Sequence, residues 1–95
     1  MENRSVTQGI CDRIPAWLQN LMWYLWESIP PPERGYMQVF RLSCAESGVQ
    51  AVQLSKKEPP YCRQVEVDAP EGAVMAKIYV LKDENIAVMM LESEF

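Results

Sequence analysis

The segment IPAWLQNLMWYLWES, residues 14–28, decides the fold because its apolar residues recur with the period of an α-helix. At about 100° per residue, most of its apolar side chains fall within an arc of roughly 160°. Asp12 suits a helix cap and Pro15 suits a first turn, whereas the prolines at 30–32 end the helix because proline cannot donate to the helical ladder. The pattern predicts one helix over residues 14–28. We expect its core face to hold Ile14, Trp17, Leu18, Leu21, Met22, Tyr24, Leu25 and Ile29.

Two tryptophans lie outside that arc. Trp26 falls just past its edge, so we expect it, like Trp17, in the core or at the core rim. Trp23 falls in the polar sector with Gln19, Asn20 and Glu27, where an indole is typical of an interface. The alternative is that Trp23 lies under the N-terminal segment or under the loop at residues 30–32, and the sequence leaves both open.

The rest of the chain alternates apolar and polar residues in short runs, which is typical of β-strands. Strands are expected over residues 4–10, 36–44, 49–54, 62–68, 75–81 and 85–91. In the second of them, Phe40, Leu42 and Cys44 share one face, so Cys44 is expected in the core. The order β-α-β-β-β-β-β predicts a single α+β domain, residues 1–95. It has one main helix packed on a five- to six-stranded, mainly antiparallel sheet.

The last predicted hairpin is apolar on both faces, unlike a sheet with one wet side. Its second face needs cover, either from curling of the sheet or from another subunit, so a homodimer is one form the partner could take. The predicted interaction surface combines this hairpin with the helix. Its residues are Trp23, Trp26, Tyr79, Met89 and Leu91.

Composition excludes several classes of function. The chain contains no histidine, which removes the commonest general base and the commonest metal ligand. We therefore expect no enzymatic activity, no catalytic residues, no metal and no cofactor. The three cysteines lack paired or zinc-type spacing and no export signal precedes them, which indicates reduced thiols in the cytoplasm. The longest apolar run is too short to span a bilayer, so no membrane is expected.

Charge is unevenly distributed along the chain. The net charge is −4, and residues 64–95 carry seven acidic residues against two lysines. Nucleic-acid binding is therefore not expected, because phosphate contacts need clustered basic residues. Lys56, Lys57 and Arg63 bracket Tyr61 and are candidate anion contacts, although such a run is more often a solvated loop.

Several stretches together resemble the family called domain of unknown function 960, small proteins of Gram-positive bacteria, their phages and mobile elements. The similarity covers nearly the whole chain in order, through TQGI (7–10), Ile14-Pro15, Leu18-Gln19, MQVFRL (37–42), Pro60-Tyr61, KIYVL (77–81) and MMLESEF (89–95). The resemblance implies a compact α+β domain without an assigned activity. The family often carries histidines before the Pro-Tyr element and in the last turn, where this chain has Ser55-Lys56-Lys57 and Asp83-Glu84-Asn85. Any chemistry of those histidines is absent here.

Three functions follow as expectations. The first is a non-enzymatic protein-interaction module that self-associates or docks a partner. The second is an inhibitor of a host defence nuclease, of the anti-CRISPR type, encoded on a phage or mobile element. Its acidic C-terminal third would face a basic nucleic-acid channel. The third is a small-ligand-binding protein that uses the cations near Tyr61.

Overall fold

The structure is a computed structural model that describes residues 3–57 and 60–95. Its strands are β1 (Asn3–Val6), β2 (Met37–Glu46), β3 (Val49–Lys56), β4 (Tyr61–Asp68), β5 (Ala76–Asp83) and β6 (Ile86–Leu91). Its helices are α1 (Gln8–Arg13), α2 (Ala16–Glu27) and α3 (Pro31–Arg34), and a 3-10 turn covers Glu92–Glu94.

The strands form one six-stranded sheet in the order β1-β6-β5-β2-β3-β4. Four of the five pairings are antiparallel, and β1 pairs with β6 in parallel. The prediction of an α+β fold with one main helix and a mainly antiparallel sheet is confirmed. The helix α2 contributes Leu18, Met22, Leu25 and Trp26 to a core that also takes buried side chains from β2, β3, β5 and β6.

The segment before α2 differs from the prediction. Residues 8–10, expected at the end of a strand, begin the short helix α1 instead. The Thr7 hydroxyl caps this helix by accepting a hydrogen bond from the Ile10 backbone N–H. The helix stops before Pro15 because a residue that precedes proline favours extended backbone, and Ile14 adopts φ −112° and ψ 120°. The main helix therefore begins at Ala16 rather than at Ile14.

The rotation of α2 about its axis also differs from the prediction. Tyr24, expected in the core, is 65% exposed, and Trp17, expected in the core or at its rim, is 42% exposed. Trp23 is buried instead, whereas Trp26 is buried as expected. Nearly every residue on this helix is apolar, so its own pattern defines the buried face only weakly. The neighbouring strand and loop therefore decide which side faces inward.

Cys44 is exposed, which corrects its expected place in the core. The register between β2 and β3 shifts between Cys44 and Glu46, which marks a β-bulge. A bulge interrupts the alternation of faces along a strand. The Cys44 thiol donates a hydrogen bond to the Glu46 carbonyl at 3.1 Å within this irregular end.

The prolines end α2 as expected, but they also begin a new element. Pro31 lies in the first turn of α3. Its lack of a backbone N–H costs no hydrogen bond there, because N–H groups of a first turn have no acceptor within the helix. This short helix delivers Arg34 into a buried position. Across residues 3–57 and 60–95, no helix combines the length and apolar character needed to cross a membrane.

Candidate protein-binding face

The helix-facing side of the sheet buries most of the predicted interaction surface. Trp26 and Met89 are at most 1% exposed, and Leu91 is 6% exposed. The expectation that these three side chains form an exposed surface is wrong, because Met89 and Leu91 lie on the core side of β6 and Trp26 lies on the buried side of α2. Their apolar character contributes to the core.

Trp23 lies under the N-terminal segment, which was one of the two alternatives for it. Its ring packs edge-on against Trp26 with the ring centroids 5.5 Å apart. The Arg4 guanidinium of β1 lies 5.3 Å from the Trp23 ring centroid and also pairs with Glu27. Cation–π contact with an indole explains why an apparently polar sector of the helix carries tryptophan. Trp23 is 8% exposed and does not present an interface.

A buried polar network beneath Trp26 is structural. Arg34 lies over the Trp26 ring at 4.3 Å and donates hydrogen bonds to the Ile29 carbonyl at 3.0 Å and the Glu27 carbonyl at 3.1 Å. Gln38 accepts from the Trp26 indole and donates to the Arg34 carbonyl. Arg34 thereby satisfies carbonyls at the end of α2 that the helix itself leaves unpaired.

The opposite side of the sheet, which we call the open face, carries a continuous apolar patch. Partners in register project to the same face of a sheet, so the pairing defines two adjacent rows of three residues across β2, β5 and β6. Each of the six side chains is half-buried. The rows are Met37, Leu81 and Val88, and Val39, Tyr79 and Met90.

Charged residues border this patch at its two ends. Lys77 and Arg41 are register partners at one end, and Asp83 pairs with the exposed Ile86 at the other. Lys77 contacts Glu92 at 3.1 Å, and the Tyr79 hydroxyl donates to the same carboxylate at 3.2 Å. The hydrogen bond from Lys77 lowers the pKa of Glu92, and the same bond raises the pKa of Lys77. Phe95 packs edge-on against Tyr79 at 5.0 Å and extends the apolar rim.

The three predicted anion contacts do not converge. Lys56 is 7% exposed, whereas Lys57 is exposed. Arg63 turns toward the helix layer and donates to the Ser28 hydroxyl at 3.2 Å. Lys56 and Lys57 line an open groove of about 420 Å³, to which Arg41 and Tyr36 also belong. The expectation of a single site built from Lys56, Lys57 and Arg63 is therefore wrong.

The predicted interaction surface contains Tyr79 but none of its five neighbours in the patch. Leu81, Val88 and Met90 belong to the hairpin whose second face was expected to need cover, whereas Met37 and Val39 become its neighbours only when β2 is placed beside β5. Among residues 3–57 and 60–95, no three side chains of the His, Cys, Asp and Glu types are grouped to hold a metal ion.

Comparison with known proteins supports the fold alone. No family model matches the chain, and no curated protein matches it in sequence. The chain is similar to the crystal structure of a protein of unknown function from Enterococcus faecalis, with a TM-score of 0.75 and 18% identity. The match covers 99% of this chain and 91% of that one. Both chains thus share one α+β architecture, and the resemblance to the domain of unknown function 960 family stays a prediction.

Proposed function

We propose that this protein is a non-enzymatic protein-interaction module that binds through its open face. One observation carries the proposal: six apolar side chains on three adjacent strands form one patch that keeps part of its surface accessible. Contiguous apolar patches on a folded domain are typical of interaction sites, whereas single exposed apolar residues are ordinary.

The position of the patch supports this reading. β5 and β2 are the two central strands of the sheet, so the patch lies on its most rigid part rather than on loops. A rigid, preformed surface loses little conformational entropy on binding. Completing the burial of each side chain contributes about 1 kcal/mol if roughly 40 Å² of apolar surface is covered.

The side-chain composition of the chain supports a role without catalysis and a reducing compartment. The chain has no histidine, and Cys11, Cys44 and Cys62 are free and exposed. Exposed thiols persist where glutathione keeps them reduced, so we place the protein in the cytoplasm. The mixed charges at the patch border and the net charge of −4 favour a protein partner over nucleic acid.

The proposal is tested by placing one charge in the patch. Leu81→Lys inserts an ammonium between Met37 and Val88 and should abolish binding of a hydrophobic dye to the open face, or dissociate any oligomer seen by light scattering. Tyr24→Lys is the matched control, because Tyr24 is exposed on the opposite, helical side of the domain. A wild-type protein that is monomeric, binds no dye and behaves like Leu81→Lys would contradict the proposal.

A further inference from the structure

We propose that the partner of the open face is a second copy of this chain. The two sheets stack face to face about a two-fold axis that lies in the interface, parallel to both sheets. The axis runs at right angles to the strands and passes over β5 between Tyr79 and Leu81. This inference rests on the proposed function and names its partner.

The order of residues along β5 provides the first argument. Its open-face side chains are Lys77, Tyr79, Leu81 and Asp83, which read positive, apolar, apolar, negative. This pattern of side chains is complementary to the same pattern on a second copy that runs in the opposite direction. Laid antiparallel on itself, it places Lys77 against Asp83 of the second copy and Tyr79 against Leu81, each twice by symmetry.

The flanking strands fit the same operation. In this arrangement β2 lies over β2 and β6 over β6 of the second copy, each reversed. Met37 then meets Val39, and Val88 meets Met90. All six apolar residues meet apolar residues, and sheets stacked in this way keep their strand axes within about 30° of each other.

Charge along β5 disfavours the other two-fold stack. An axis parallel to β5 would lay Lys77 on Lys77 and Asp83 on Asp83. Like charges placed directly opposite each other are destabilising. That stack would also lay β2 over β6 of the second copy and bring Arg41 near Glu92, whose carboxylate already accepts from Lys77 and from Tyr79. Along β5 itself, only the perpendicular axis joins opposite charges.

The size of the face sets the expected affinity. Three strands about 4.8 Å apart and four rows about 6.8 Å apart project to roughly 400 Å². A standard specific interface buries about 800 Å² per partner. The patch with its charged ends is therefore a small interface, and we expect a dissociation constant on the order of 10–100 μM.

Charge reversal tests the geometry. Sedimentation equilibrium from about 5 to 500 μM should show a monomer–dimer equilibrium for the wild type, a range that brackets the expected affinity. Asp83→Lys and Lys77→Glu should each weaken the dimer about tenfold, since each creates two like-charge contacts per dimer, one at each copy of the substituted residue. The double variant carries both reversals and should recover to within about threefold of the wild type. Glu71→Lys, in the turn after β4, is the control that changes net charge by the same amount without touching the open face.

Each outcome decides the matter. Recovery in the double variant, with all variants folded by circular dichroism, supports the antiparallel stack. The stack is overturned if neither charge reversal changes the dissociation constant of the dimer. It is also overturned if the double variant dissociates more readily than either single variant. A wild type that stays monomeric at every concentration also overturns it. In that case dye binding that Leu81→Lys abolishes would still uphold the proposed function, so the two failures are distinguishable.

Discussion

The indole N–H of Trp26 donates a 2.6 Å hydrogen bond to the Gln38 side-chain oxygen, which joins the main helix to strand β2 inside the core. Both residues are at most 1% exposed. Gln38 also donates to the Arg34 carbonyl, so one amide joins the main helix, strand β2 and the short helix α3 between them.

Gln38→Leu should therefore destabilise the protein by about 2–4 kcal/mol, because it leaves a buried indole N–H and a buried carbonyl without partners. Urea unfolding followed by circular dichroism measures the loss. Gln64→Leu, at an exposed position of β4, makes the same chemical change and should stay within about 0.5 kcal/mol of the wild type. Equal effects of the two substitutions would show that the Gln38 network contributes nothing.

Arg34 should be sensitive even to a conservative exchange. Arg34→Lys keeps the charge but loses the planar group that lies over Trp26 and donates to two separate carbonyls. We expect a loss of about 2–3 kcal/mol by chemical unfolding, since carbonyls at the end of α2 lose their donors. Arg13→Lys, at an exposed position of α1, is the control and should be nearly neutral. An Arg34→Lys variant as stable as this control would contradict the assigned role.

Gly9 should tolerate a methyl group only when Glu94 is absent. A Cβ at Gly9 would lie 2.6–2.8 Å from the Glu94 carboxylate, which accepts hydrogen bonds from the Thr7 hydroxyl and from the Gly9 and Leu91 N–H groups. Gly9→Ala displaces that exposed carboxylate and should destabilise the protein, because the hydrogen bonds from Thr7 and from the two N–H groups are lost or weakened. In a Glu94→Ala background the same change should be neutral or stabilising by up to about 1 kcal/mol, as alanine is favoured over glycine in a helix. Additive effects in this double-mutant cycle would refute the close approach.

Stability should fall in acid partly through Glu94. The hydrogen bond from Thr7, supported by the Leu91 and Gly9 N–H groups, lowers the pKa of Glu94 below its ordinary value of 4.5. Near that pH the unfolded chain binds more protons than the folded protein, so this contribution is complete above pH 4.5 and is lost as the pH falls through the lowered folded pKa. Thermal melts from pH 2 to 7 should show a flatter acid limb for Glu94→Gln than for the wild type. Ser93→Ala should leave that limb unchanged, and parallel limbs for Glu94→Gln and the wild type would rule out the linkage.

The strands were predictable because the alternation of apolar and polar residues along each strand shows which side is buried. Phe40 and Leu42, or Ile78 and Val80, alternate with more exposed residues as the pleat demands. The rotation of α2 was not predictable from its own sequence, since Trp17, Tyr24 and Trp23 are all apolar. Arg4 and Gln38, which lie outside the helix, help to hold the side that faces inward. Likewise α1 depends on Thr7 and on Glu94. Because Glu94 is far from residues 8–13 in sequence, the local sequence does not predict this helix.

The candidate face was half visible in the sequence. A hairpin with apolar residues on both sides indicates that the second side needs cover, and Leu81, Val88 and Met90 lie on that second side, each half-buried. The contribution of Met37 and Val39 depends on which strand lies next to β5, and strand order is a property of the whole chain. The predicted anion site is wrong because residues close in sequence are separated in the fold. Arg63 points to the helix layer and bonds Ser28, whereas Lys57 lines the groove beside Arg41.

The pairing of β1 with β6 constrains how the protein is made in the cell. Thr7 and Glu94, which hydrogen bond beside this pairing, are 87 residues apart in sequence. During translation α2 and β2 leave the ribosome well before β5 and β6, so a nascent chain displays Trp26 and Phe40 with part of their packing still unsynthesised. The sheet therefore closes only after β6 has been synthesised, and until then apolar side chains of α2 and β2 lack part of their cover.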